Sequence, residues 1–121
     1  MRKLAVSLMA VACLAACGGG TGGASQPAGS IKVTMTEFAF SPNSLTAPAG
    51  KVVFFLVNGG SVAHDLVVVN ASNSRMGASE LVSAGDSSVF TIDNLPAGSY
   101  TILCDQPGHE ASGMKGTLTV S

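Results

Sequence analysis

Apolar and polar side chains alternate along much of this chain with a period of two. Ile31, Val33 and Met35 are interleaved with Lys32, Thr34 and Thr36, as a half-buried β-strand requires. The apolar parity then switches to Phe38 and Phe40. A one-residue slip sends every following side chain to the opposite face, so this switch predicts a bulge or kink near Glu37. Residues 52–57 (Val-Val-Phe-Phe-Leu-Val) are apolar on both parities, which predicts a buried central strand. Residues 66–69, 89–92, 100–104 and 116–120 are further β-rich runs. Between the runs stand Ser41-Pro42-Asn43, Pro48-Ala49-Gly50, Asn58-Gly59-Gly60-Ser61 and Asn94-Leu95-Pro96-Ala97-Gly98, all strong turn signals. Residues 70–87 are the least regular stretch, with a helical turn or two expected over 76–82. Short strands at this spacing without a long helix predict an all-β sandwich over residues 31–121.

One motif refines the topology. Leu95-x-x-Gly98-x-Tyr100 is similar to the tyrosine corner of Greek-key sandwiches, in which the phenol bonds to backbone a few residues upstream.

The first thirty residues follow other rules. Arg2 and Lys3 precede an apolar run, residues 4–12, that ends in Leu14-Ala15-Ala16-Cys17. The run is too short to span a bilayer and fits the apolar region of an export signal. Its end is similar to a bacterial lipobox, where the chain is cut before a cysteine that receives lipid. Residues 1–16 are therefore expected to be a lipoprotein signal peptide and Cys17 the lipidation site. Residues 17–30 are rich in glycine and serine and cannot bury a core. Such a stretch is a flexible tether with a root-mean-square span of roughly 20 Å. The expected location is outside the cytoplasm, periplasmic or at the cell surface, with a lipid anchor in the membrane.

Composition adds two exclusions. Charged residues make up 11% of the chain and hydrophobic residues 46%, a balance that suits a packed domain and not a disordered one. Beyond residue 16, four basic side chains face seven acidic ones. Without a basic stripe, nucleic acid is not an expected partner.

The candidate chemistry gathers near the C-terminus. With Cys17 lipidated, Cys104 has no disulfide partner, and a lone thiol in an exported protein calls for an explanation. Cys104, His109 and Met114 stand at the spacing C-x4-H-x4-M, on a segment that follows a strand, so one loop can turn all three donors to a common point. His64 lies upstream, at the edge of another strand. Each residue alone has a plain structural explanation: a core cysteine, a turn histidine, a packing methionine. Together they form the two-histidine, one-cysteine set with a weak axial methionine that binds blue copper. A soft thiolate and thioether stabilise Cu(I), while imidazoles serve both oxidation states. Zinc suits the same donors chemically, and its closed d-shell gives no visible colour.

These residues resemble the cupredoxin family, the small blue copper proteins of the plastocyanin, azurin and auracyanin kind. The resemblance covers about residues 31–121 and is strongest from Gly98 through the Cys104-x-x-Pro107-Gly108-His109-x4-Met114 loop to Val120. It includes Phe38-x-Phe40-Ser41-Pro42 and Ala63-His64-Asp65-Leu66, and the loop lengths look most like auracyanin. It implies a Greek-key sandwich of about eight strands, with one type 1 copper ion held by His64, Cys104, His109 and Met114. It also implies that the backbone N–H after the first histidine bonds the cysteine sulfur. Many members have asparagine there, and this chain has Asp65. A buried aspartate beside the thiolate favours Cu(II) and lowers the potential, and the N–H of Gln106 is a second candidate donor to the sulfur. The ring edge of His109 is expected at the surface, among Pro107, Gly108, Ala111 and Gly113, where a partner would dock.

The function implied is one-electron transfer between Cu(II) and Cu(I), with redox proteins as partners and the carrier itself a monomer. The alternative is a periplasmic copper-binding or delivery protein of the same fold. Such proteins usually keep an open or methionine-rich site, whereas four convergent ligands close this one. An enzyme is not expected. The copper oxidases and nitrite reductases of this superfamily need further histidines for a second metal centre, and both histidines of the chain are already assigned.

Overall fold

The computed structural model of the chain describes residues 25–121, in which nine strands form two sheets and no helix. The expected signal peptide, Cys17 and the first part of the expected tether lie outside the described residues. At the end of the expected tether, Pro27 to Ser30 form a turn, with the Ser30 hydroxyl and N–H both donating to the Pro27 carbonyl.

The first sheet has the order β2-β1-β4-β7, built from β1 (Ile31–Thr36), β2 (Ala39–Ser41), β4 (Gly50–Asn58) and β7 (Ser87–Leu95). The second has the order β3-β9-β8-β5-β6, from β3 (Ser44–Ala47), β9 (Lys115–Val120), β8 (Gly98–Leu103), β5 (Val67–Val69) and β6 (Arg75–Ala78). Pairing is antiparallel except for β1 with β4 and β3 with β9. Parallel register puts partners on the same face, so Val33 lies beside Leu56 and all four of Val33, Met35, Phe54 and Leu56 point into the core. Leu45, Val68, Tyr100, Ile102 and Leu118 enter the same core from the other sheet. Each such side chain, fully buried, contributes about 1.5–3 kcal/mol.

The sequence pattern and the structure part company at two places. The parity switch at Glu37 is a tight turn, not a bulge: Thr36 pairs with Ala39 and Met35 with Phe40, so the chain reverses through Glu37 and Phe38. Residues 76–82, read as helical, hold part of β6 instead, which pairs with β5 at the sheet edge. Met76 and Gly77 there are short of a full apolar pattern because an edge strand covers only one side of the core.

The tyrosine corner is present. The Tyr100 hydroxyl donates to the Pro96 carbonyl at 2.6 Å, bracing the turn between β7 and β8.

Candidate metal centre

Two local folding events bring the donors together. The first begins at Asn58, which pairs with Met35 and so continues the inward parity of β4 with a polar side chain. Asn58 is 1% exposed, and it meets the demand for hydrogen bonds on a buried amide within the loop that follows. Its Nδ2 donates to the carbonyls of Val62 and Val82 at 2.8 and 2.9 Å, and its Oδ1 accepts from the Gly60 N–H. The loop thus leads His64 back to an isolated bridge with Val82, where its ring is fully buried.

The second event is the hairpin between β8 and β9. Their ladder ends at Leu103 and Lys115, and one more bond, from the Cys104 N–H to the Met114 carbonyl, brings those two residues side by side. Residues 105–113 close the loop through short turns. The N–H of His109 bonds Gln106, that of Gly113 bonds Glu110, and that of Met114 bonds the His109 carbonyl. Gly108 and Gly113 have φ of 80° and 102°, a region where a side chain would be strained. The C-x4-H-x4-M spacing is therefore the length of one closed loop, anchored by Cys104 at its start and Met114 at its end.

The donor atoms of His64, Cys104 and His109 all lie within 4.8 Å of one another. Cys104 Sγ is 3.4 Å from His109 Nδ1 and 3.9 Å from His64 Nδ1, and the two Nδ1 atoms are 3.2 Å apart. Cys104 and Met114 are fully buried and His109 is half-buried. Three electron-pair donors aimed at one point, with a thioether at the closing end of the same loop, fit the preferences of copper for soft sulfur and imidazole together.

The surroundings of the sulfur tune it in both directions. Burial pushes the Cys104 thiol above its ordinary 9.0; the backbone N–H groups of Asp65 and Gln106 pull it back, and the Asp65 carboxylate pushes it up again. Asp65 is 8% exposed, and its Oδ1 accepts the Asp105 N–H at 2.7 Å. That bond ties the residue after His64 to the residue after Cys104, so the side chain at position 65 also holds these two segments together. Asp105 in turn pairs with Arg75 at the surface, where both side chains are about half exposed and the pair contributes about 0–1 kcal/mol.

Two neighbours of the histidines carry no signal in the linear pattern. Glu37 Oε1 lies 3.1 Å from His64 Nε2. The ring of Phe38 meets that of His109 edge-on, with centroids 5.0 Å apart. Phe38 is read from the sequence as an inward strand residue, but it is 41% exposed, together with Val62 and Ala111.

A profile of the cupredoxin-like domain matches residues 4–120. The chain belongs to the cupredoxin-like family. Auracyanin-B of Chloroflexus aurantiacus is 29% identical over 119 residues, a match that spans 75% of this cupredoxin and 51% of the relative. The chain therefore spans about half the length of that relative. A solved structure of auracyanin B superposes with a TM-score of 0.69 at 29% identity, covering 81% of this chain and 92% of the other. The dithionite-reduced auracyanin of Roseiflexus castenholzii gives a TM-score of 0.69 at 22% identity, covering 76% and 96%. This cupredoxin carries a site suited to one copper ion.

Proposed function

We propose that this cupredoxin is a one-electron carrier in which His64, Cys104, His109 and Met114 hold a single type 1 copper ion. The observation that carries the reading is the gathering of one buried cysteine sulfur and two imidazole Nδ1 atoms within a few ångströms of one another. Copper supplies the Cu(II)/Cu(I) couple when bound. The chain fixes the donors beforehand, keeps water from the sulfur, and leaves one histidine near the surface. His109 is that histidine. Phe38 meets its ring edge-on, Val62 and Ala111 are also exposed, and a redox partner docks on these apolar side chains. The protein acts outside the cytoplasm, held to a membrane by lipid on Cys17 through the tether of residues 17–30.

The similarity to auracyanins supports this reading, and one of them, auracyanin A, is described as a "blue" copper protein. A copper nitrite reductase shares the fold at 22% identity. The chain has two histidines in all, and both belong to the one centre, which favours a carrier over an enzyme.

The test is the visible spectrum of the copper-loaded protein. Wild type takes one Cu(II), shows intense thiolate-to-copper colour, and bleaches on reduction. Cys104→Ala loses the colour while its circular dichroism stays that of the β-sandwich, because Phe54, Leu56 and their neighbours carry the core. A coloured Cys104→Ala protein, or a colourless wild type with bound zinc, refutes the proposal.

A further inference from the structure

Glu37 opens the turn between β1 and β2, yet its carboxylate serves the loop between β4 and His64. Oε1 accepts the N–H of Ser61 at 2.7 Å and that of Val62 at 3.1 Å, and lies 3.1 Å from His64 Nε2. Gly60 is shaped around it: a Cβ at that position would fall 2.3 Å from Oε1. The carboxylate is thus seated where the ligand-bearing loop passes, and a side chain at residue 60 would displace it.

The chemistry of the contact is one-directional. A carboxylate can only accept, so His64 must carry its ring proton on Nε2. That leaves the Nδ1 lone pair facing Cys104 Sγ and His109 Nδ1. Two backbone N–H groups, of Ser61 and Val62, converge on Oε1, the arrangement an ionised, acceptor-only carboxylate satisfies, and they hold the Glu37 carboxyl below its ordinary 4.5. A negative charge on the distal N–H of a ligand imidazole fixes the ring and raises its donor strength. The next residue, Phe38, meets the ring of the other histidine, so a single two-residue turn contacts both imidazoles.

We propose that Glu37 is a positioning residue for the copper site, selecting the tautomer of His64 and biasing the bound ion toward Cu(II). The inference rests on the electron-carrier reading for its redox consequence, but not for its structural one.

Two measurements test it. Nitrogen-15 NMR of the metal-free protein reads the His64 tautomer directly: wild type shows the proton on Nε2. Glu37→Gln, which keeps an accepting oxygen and removes the charge, retains that tautomer. Glu37→Ala gives a mixture of tautomers and weakens Cu(II) binding by about 10–100-fold. In the copper-loaded protein, Glu37→Gln lowers the ratio of Cu(II) to Cu(I) affinity about tenfold, which voltammetry reads as a rise of about 59 mV. Asp93→Asn, which removes one charge from an exposed position on β7, leaves the potential near wild type. A wild-type His64 protonated on Nδ1, or a Glu37→Gln potential no higher than that of Asp93→Asn, overturns the inference. A protein that forms no coloured copper site refutes the carrier reading instead, and the tautomer measurement still decides the role of Glu37.

Discussion

Copper uptake by the metal-free protein should release close to one proton, and that proton should come from Cys104. The thiol lies fully buried, and its pKa is above the ordinary 9.0 because burial outweighs the N–H groups of Asp65 and Gln106. At neutral pH the free thiol is therefore held in its protonated form. Only the thiolate binds metal, so loading must displace the proton. The apparent dissociation constant should fall about tenfold for each unit of pH, or about 1.36 kcal/mol. The window from about pH 7.5 to 8.5 lies above the ordinary imidazole range and isolates the thiol. Calorimetric titration with Cu(I) in buffers of different ionisation enthalpy counts the protons, and chelator competition gives the slope. The same shift has a sign for folding. A thiol whose pKa is raised in the folded state adds its full stability below the unfolded value, and that stability is lost as pH rises through the folded one. Metal-free protein should thus weaken above about pH 9, while Cys104→Ala should not. Release of less than half a proton per ion, or an affinity flat across the window, would show that Cys104 is already ionised or is not a ligand.

Replacing Met114 by Leu removes the thioether that would serve the copper at nearly constant volume and should raise the reduction potential; replacing it by Gln offers a harder oxygen and should lower it. Voltammetry that places the Leu variant below wild type removes Met114 from the ligand set. Tyr100→Phe deletes the bond to the Pro96 carbonyl and should cost about 1 kcal/mol, a fall in melting temperature of about 4–8 °C. Its visible spectrum should be unchanged, since four residue steps along the strand, about 13 Å, separate it from Cys104. Cys17→Ser should move the protein from the membrane to a soluble or unprocessed fraction, and a wild type that already fractionates as soluble rejects the lipid anchor.

Much of this molecule is legible in its sequence, because the signals involved are local. Period-two alternation located β1, an apolar run on both parities located β4, and β-rich runs located β8 and β9, since each of these strands buries one face or both. The loop from Cys104 to Met114 is a single hairpin connection, so its donors are brought together by chain distance alone. The Tyr100 corner was readable for the same reason: donor and acceptor are four residues apart. Strand β6 was not, because an edge strand of Arg75, Met76, Gly77 and Ala78 has neither a clean alternation nor β-branched residues.

Glu37 marks where local reading stops. Its own neighbours describe a change of parity, and a bulge and a tight turn produce the same change in a string of letters. Its partners lie at Ser61, Val62 and His64, at sequence separations of 24 to 27 residues. What brings them together is the parallel pairing of β1 with β4. That register sets Met35 beside Asn58, so the turn after β1 and the loop after β4 leave the sheet at the same end. A parallel pair has no connecting turn of its own to announce it in the sequence. The polar residues that gather at such an end can be recognised only once the register is known. The same geometry explains why Asn58, read as a strand breaker, is instead the buried residue that ends β4 and shapes the loop to His64. The candidate donors of this cupredoxin were written along the chain; the residues that touch their far sides are set by how its strands are paired.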